Sequence, residues 1–341
     1  MLYYKGMVDK MVCDEGLNKG RIKWIDIIKG ICIVFVMLSH SYPPDDYRRF
    51  FTPFFLTMFF FASGYTFSTK NRFRDFILGK IYHLVCPVFL LGSIRIIGMR
   101  IMGVGNLMEG LKGLLLQISC QKDEMWFVSC LFTSCMLLYL LIRINRRVFH
   151  NLNHNILLLC EAILFLLLGY FIILILHWRI VWEFEIACIM LLYMVLGYIY
   201  KGKEVVYPKF VQGILFILYC AVLILIKNDV DIHAEVFPYP TVFIISSFLI
   251  VLPIIELSKW IEKTKMAQAF VFLGQNSLFY FAFSGFVREI FIRIIDSTMT
   301  MDPHIESLLC TLSMIVVLII PAMITRKYFP WLVGVKKDRF I

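Results

Sequence analysis

Apolar residues in this chain come in long unbroken runs, not in the short alternating blocks of a soluble domain. The runs at 156–176 and 308–324 hold roughly the 20 apolar residues that a helix needs to cross a hydrocarbon core about 30 Å thick. Barrel strands are about half that length and alternate apolar with polar positions. The same pattern gives candidate spans at residues 24–42, 51–69, 76–97, 125–144, 156–176, 181–200, 210–226, 241–257, 269–293 and 308–324, or about ten helices. It predicts an all-α, polytopic membrane helix bundle. The long connection at 98–124 contains LMEGLKGLLLQI, which fits an amphipathic helix lying at the interface or dipping back into the protein. Its Gly103 and Gly105 read as turn glycines, too few for a phosphate loop. With no linker, repeat or soluble domain visible, the expected organisation is a tail at 1–23, a transmembrane domain at 24–326 and a second tail at 327–341.

Charge sharpens this picture. Alternate connections carry Lys70, Arg72 and Arg74, then Arg143, Arg146 and Arg147, then Lys201, Lys203 and Lys209, then Lys259, Lys263 and Lys265. The others carry Asp45 and Asp46, then Asp229, Asp231 and Glu235, then Asp296 and Asp302. Lysine and arginine collect on the cytoplasmic side, which predicts cytoplasmic termini in a multi-pass protein. The first run follows Arg21 and Lys23, contains Lys29 and His40, and has no small-residue cleavage site, so it reads as a retained span. Composition agrees: 60% of residues are hydrophobic and 16% aromatic, and mean hydropathy is +0.80. The net charge of +10 lies in short loops and tails, so it speaks for membrane orientation and not for nucleic acid. The ten cysteines are scattered, with no close C-x-x-C pair and no histidine pair at metal spacing, and read as reduced packing residues with no metal.

Candidate chemistry starts at KGICIVFVMLSH, residues 29–40. From 29 to 40 a helix makes three turns plus roughly 20°, so Lys29 and His40 share one stripe about 16 Å apart along the axis. Ionisable groups within a bilayer are costly unless they face a cavity or a partner, which makes both functional candidates. Each also has a plainer reading. Lys29 can snorkel to the headgroups or pair with Asp26, one turn earlier. His40 can be the polar end of a helix broken by Pro43 and Pro44.

RIKWIDIIKGICIVFVMLSH at 21–40, with FFFASGY at 59–65, resembles the start of the acyltransferase-3 family of integral membrane acyltransferases, particularly its sugar O-acetyltransferases. In that family the first span carries a basic residue and, after ten positions, a histidine; the second carries F-F-x-x-S-G. MWFV at 125–128 resembles the family's W-F-L segment, and LGQNSLFY at 273–280 its G-x-N-S-L segment. The ordered set is more specific than any one motif. Two departures stand out. Lys80, His83 and Pro87 occupy a stretch where the family shows two basic residues three apart before a proline. Ser284 stands where many sugar-modifying members have a histidine, which leaves His40 without an evident helper there.

The resemblance implies transfer of an acyl group, most often acetyl from acetyl-CoA, to a hydroxyl of a cell-surface or lipid-linked carbohydrate. A neutral imidazole with a pKa of about 6.5 suits removal of the hydroxyl proton, so His40 is the expected catalytic residue, as general base or transient acyl carrier. Cations at the inner mouth suit the donor's phosphates, which points to Lys29, Lys80, Arg72 and Arg74; for the loop arginines, positive-inside anchoring is the competing reading. Glu124, Trp126, Ser63 and Asn276 are candidates for binding the acceptor. Against these stand a solvated loop end for Glu124, an aromatic belt for Trp126, close helix packing for Ser63 with Gly64, and hydrogen bonding within the bundle for Asn276. Arg288 and Glu289 read as an interfacial pair, and His150, His154, His177, His233 and His304 as loop or interface residues. The rival class is a transporter or flippase for a lipid-linked sugar or other solute, which also shows a few buried charges but commonly has repeated halves that are not evident here. A catalytically silent relative is a third class, against which the intact Lys29 and His40 speak.

Overall fold

The computed structural model of the chain describes residues 21–118, 125–149, 152–203, 207–296 and 301–335. These are helical almost throughout, with a lone bridge between Asp231 and Val236 and no named strand among the described residues. In chain order the helices are α1 (Lys23–His40), α2 (Asp45–Tyr65), α3 (Phe73–Ile101), α4 (Leu107–Leu116), α5 (Trp126–Val148) and α6 (His154–Leu176). Then come α7 (Val181–Tyr200), α8 (Lys209–Leu225), α9 (Pro240–Glu262), α10 (Ala267–Gln275), α11 (Ser277–Asp296) and α12 (Pro303–Tyr328).

By length and composition, six of these are able to cross a membrane: α3, α5, α6, α7, α9 and α12. The protein is a multi-pass integral membrane protein. The outward faces of these helices carry large exposed apolar side chains such as Leu164, Leu167, Leu312 and Val316, as a lipid-facing surface requires. The candidate span at 269–293 is two helices, broken at Asn276. There the Asn276 amide Nδ2 donates to the Phe272 carbonyl at 2.8 Å. LMEGLKGLLLQI folds as the short helix α4, started by the Asn106 side chain accepting from the Met108 N–H at 2.9 Å and stopped by Gln117 in a left-handed conformation (φ 47°).

The first helix is the hub. α1 packs against α2, α9, α10, α11 and α12, so its side chains meet protein on most sides. The contact with α10 depends on glycine: a Cβ at Gly30 would collide with the Phe270 carbonyl, and one at Gly274 with the Asp26 carbonyl. A second such crossing joins α2 to α7, where Gly64 faces the Met194 carbonyl and Gly197 the Phe61 carbonyl. Small residues let membrane helices approach to main-chain contact. The S-G of FFFASGY and the G of LGQNSLFY therefore fix the helices on either side of the site.

At the Lys29 end of the bundle, the connection after α2 is held by three cations, two from the end of α5 and one just past α7. Lys201 Nζ donates to the Phe67 carbonyl at 2.8 Å, an Arg143 Nη to the Asn71 carbonyl at 2.8 Å and an Arg146 Nη to Thr69 Oγ1 at 3.1 Å. These basic residues thus satisfy polar groups of the connection that follows α2.

Candidate active site

His40 is the last residue of α1, and the chain leaves through Ser41 into Tyr42, whose φ is 51°. It also lines a cleft of about 870 Å³ at this end of the bundle, walled by α1, α2, α3, α4, the start of α5, the loop at 226–239 and α11. The two readings of His40 are thus compatible: the helix ends where the cavity begins. One stripe of α11 holds the histidine. Phe281, Ser284 and Arg288 recur at helical spacing, so they share a face. The Phe281 ring lies 6.1 Å from the imidazole, Ser284 Oγ is 2.8 Å from Nδ1, and an Arg288 Nη donates to the His40 carbonyl at 3.3 Å. The last bond satisfies one of the carbonyls left open at the C-terminus of α1.

Ser284, which the sequence shows only as a departure from the family pattern, is thus the side chain at hydrogen-bond distance from Nδ1 of His40. It is fully buried, and its own hydroxyl lies 3.5 Å from the Phe281 carbonyl. The contact between the hydroxyl and Nδ1 fixes the orientation of the imidazole in the wall.

Trp126 forms another part of the wall. It is buried inside the protein and stacks on His233 with ring centroids 5.0 Å apart and planes 22° from parallel. This takes it out of an aromatic belt facing lipid. It also brings His233 from the loop to the cleft. That loop is braced. Asn228 and Tyr239 exchange two hydrogen bonds at 3.0 and 3.1 Å, and Arg49 makes a two-point ion pair with Asp229, one contact at 2.9 Å. Bonding to the Arg49 guanidinium holds the Asp229 carboxyl below the usual carboxylate range.

Lys29 does not line this cleft. On α1 the lining stops at Val36, and Cys32 and Ile33 are packed between. Lys29 is half-buried at the basic end, where Arg21, Asp26 and Lys80 are the charges that act on it. Asp26 is engaged elsewhere, accepting from Arg21 Nε at 2.8 Å and from Gln275 Nε2 at 3.3 Å. Arg326, near the end of α12, acts on the same Arg21 and Asp26. Lys80 lies over Phe67 and Phe76, 5.6 and 5.7 Å from their centroids. His83 belongs to a π-turn at Ile81–Val85, and its Nδ1 is bonded to the Gly334 carbonyl. Arg72 and Arg74 are exposed at the start of α3.

Ser63 and Asn276 lie off the cleft wall. Ser63 is on the α2 face next to the Gly64 crossing, and Asn276 forms the α10–α11 joint. Glu124 and His150 lie outside the described residues. Arg95, from α3, is a wall residue that the sequence reading did not single out, with only 5% of its surface exposed. Arg288, read from the sequence as an interfacial pair with Glu289, lines the cleft instead, while Glu289 pairs with Arg293 at 3.0 Å.

The cleft thus presents an oriented imidazole inside a multi-pass membrane bundle. Residues 22–325 match the sequence model of the acyltransferase-3 family, an acyltransferase domain, and the chain belongs to that family. It is thus a membrane acyltransferase. No curated protein and no solved structure matches it.

Proposed function

We propose that the protein is a membrane-embedded O-acyltransferase that moves acetyl from acetyl-CoA to a hydroxyl of a cell-surface or lipid-linked carbohydrate. The reading places it in a bacterial inner membrane with about ten spans and both termini in the cytoplasm; α1, α2, α8 and the α10–α11 pair supply the spans beyond the six most apolar. One observation carries it: in a chain of this family, the buried Ser284 hydroxyl lies 2.8 Å from Nδ1 of a histidine on the cleft wall.

In this mechanism Nε2 of His40 takes the proton from the acceptor hydroxyl as its oxygen attacks the thioester carbonyl. The C–S bond then breaks, and the imidazolium returns the proton to the departing thiolate of coenzyme A. Ser284 keeps the ring in the tautomer that begins this cycle. Trp126 offers a flat apolar face to a sugar ring. At the other end of α1, Lys29, Lys80 and Arg326 hold the phosphates of the donor, with Arg72 and Arg74 adding charge at the rim. The pantetheine arm runs beside α1 toward His40, and donor binding opens its path past Cys32 and Ile33.

The test uses purified protein in lipid with radiolabelled acetyl-CoA and a panel of lipid-linked glycans. Labelled glycan should form with wild type, while His40→Ala should lose on the order of 10² to 10⁴ in rate and still bind donor. Full turnover by stably inserted His40→Ala protein removes the proposed role. Solute uptake without any covalent product points to a carrier.

A further inference from the structure

Histidines aside, the aromatic rings that line the cleft among the described residues are those of Tyr42, Phe55, Trp126 and Phe281. Three of them are packed into the protein, and Trp126 has His233 stacked against it. Tyr42 differs, with 73% of its surface exposed. Its backbone is also held where bulky residues seldom sit. At φ 51° it lies in the left-handed region, which after a helix C-terminus usually falls to glycine, and the following Pro43 narrows its choices further. Pro43 is buried and Pro44 opens α2, so the turn is anchored beyond the tyrosine as well as before it. A single face of α11 fixes the rings of His40 and Tyr42 together. Ser284 meets the imidazole; one turn later the Arg288 guanidinium lies over the Tyr42 ring, Cζ 5.0 Å from the centroid, while an Nη donates to the His40 carbonyl. The cation covers one face of the phenol ring. With most of the side chain exposed, the other face is open, two residues along the chain from His40.

Backbone strain of this kind persists only where the surrounding structure holds it, and it gathers at ligand sites. A pyranose has a flat face of C–H groups and a rim of hydroxyls, so an aromatic ring can take the face and leave a rim hydroxyl to a neighbouring base. We infer that Tyr42 is an acceptor-binding residue, on whose open face a pyranose ring packs with one hydroxyl directed to His40. This rests on the acyl-acceptor reading of the cleft and narrows the acceptor to a cyclic sugar, since an open-chain polyol offers hydroxyls without the flat face. Tyr42 takes no part in the bond changes; it decides which hydroxyl compounds are held beside the imidazole.

The probes are lipid-linked glycans ending in glucose, galactose, mannose or N-acetylglucosamine, each with a counterpart whose terminal ring has been opened by periodate and borohydride. Binding to the protein in nanodiscs and the acceptor KM for transfer from acetyl-CoA are measured together. Wild type should bind at least one intact glycan about five- to tenfold tighter than its opened form. Tyr42→Ala should lose that preference and raise the acceptor KM by a similar factor, with donor affinity unchanged; Tyr42→Phe and Tyr42→Trp should keep both. Tyr42→Gly separates the ring from the backbone. Glycine takes φ 51° without strain, so this variant should unfold at a higher temperature than Tyr42→Ala while binding the glycan just as weakly. Wild-type acceptor affinity and KM in folded Tyr42→Ala and Tyr42→Gly protein overturn the platform and leave the proposed function standing; a lower unfolding temperature alone would then assign the ring to the interfacial aromatic belt. Equal binding of intact and opened glycans also overturns the platform. Tyr42-dependent binding that leads to no transfer overturns the proposed function and leaves the platform standing, and the absence of both binding and transfer overturns both.

Discussion

Ser284 and His40 are 244 positions apart, yet the hydroxyl and the imidazole meet at 2.8 Å. A hydrogen bond of this kind contributes about 1 kcal/mol net, so Ser284→Ala should reduce kcat by roughly five- to tenfold. In the proposed mechanism Ser284 acts through the ring and not on the substrate, so the pH–rate profile should also shift. Ser284→Thr, which keeps the hydroxyl, should recover most of both. A Ser284→Ala enzyme with an unchanged pH profile would make the bond merely structural. His40 was legible from its position alone, since a titratable ring at the end of an apolar run is conspicuous. The helper was not: Ser284 shows in the chain only as a departure from a family pattern, and its meeting with α1 is tertiary. Arg95 carried a signal as strong as that of Lys29, a charge inside the run at 76–97, under the same cost of burying an ion. Arg288 is harder to read, because its neighbour Glu289 suggests a local pair that the fold gives instead to Arg293.

At the scale of elements, the cleft depends on two glycine-mediated crossings and a clamped loop. Replacing Gly64 with leucine would force α2 away from α7 and should cost about 1–3 kcal/mol, seen as a lower unfolding temperature in detergent; an unchanged temperature would show that the crossing tolerates bulk. The Arg49–Asp229 pair ties the start of α2 to the loop that carries His233. Since Asp229 is held below the usual carboxylate range by Arg49, its contribution is complete above about pH 4 and is lost as pH falls through the lowered value. The difference in unfolding temperature between wild type and Asp229→Asn should therefore hold at neutral pH and close in acid below about pH 4. A difference that stays constant into strong acid would contradict the clamp. Helix positions were largely written in hydropathy: α7 spans Val181–Tyr200, the same limits as its apolar run. Where charge enters, hydropathy falls short. α2 begins at Asp45, six residues before its apolar run, because acidic residues favour a helix's first turn. The break at Asn276 is likewise invisible to a hydropathy window, since a side-chain amide bonded back to its own helix leaves no gap in the apolar run.

For the molecule as a whole, α1 joins two charged regions, the basic end around Lys29 and the cleft around His40. Lys29→Ala should weaken acetyl-CoA binding about tenfold or more, with less effect on turnover at saturating donor; an unchanged donor affinity would return Lys29 to a snorkelling role. The chain announces that α1 holds both groups on one stripe, but the packed Cys32 and Ile33 between them emerge only from the helices that enclose α1. The central claim is that acyl transfer occurs at the His40 cleft. Its most direct test is transfer of labelled acetyl from acetyl-CoA to glycan by wild-type and His40→Ala protein in the same proteoliposomes. Labelled glycan should accumulate with wild type alone, with donor binding retained by both; equal accumulation with His40→Ala would contradict the account.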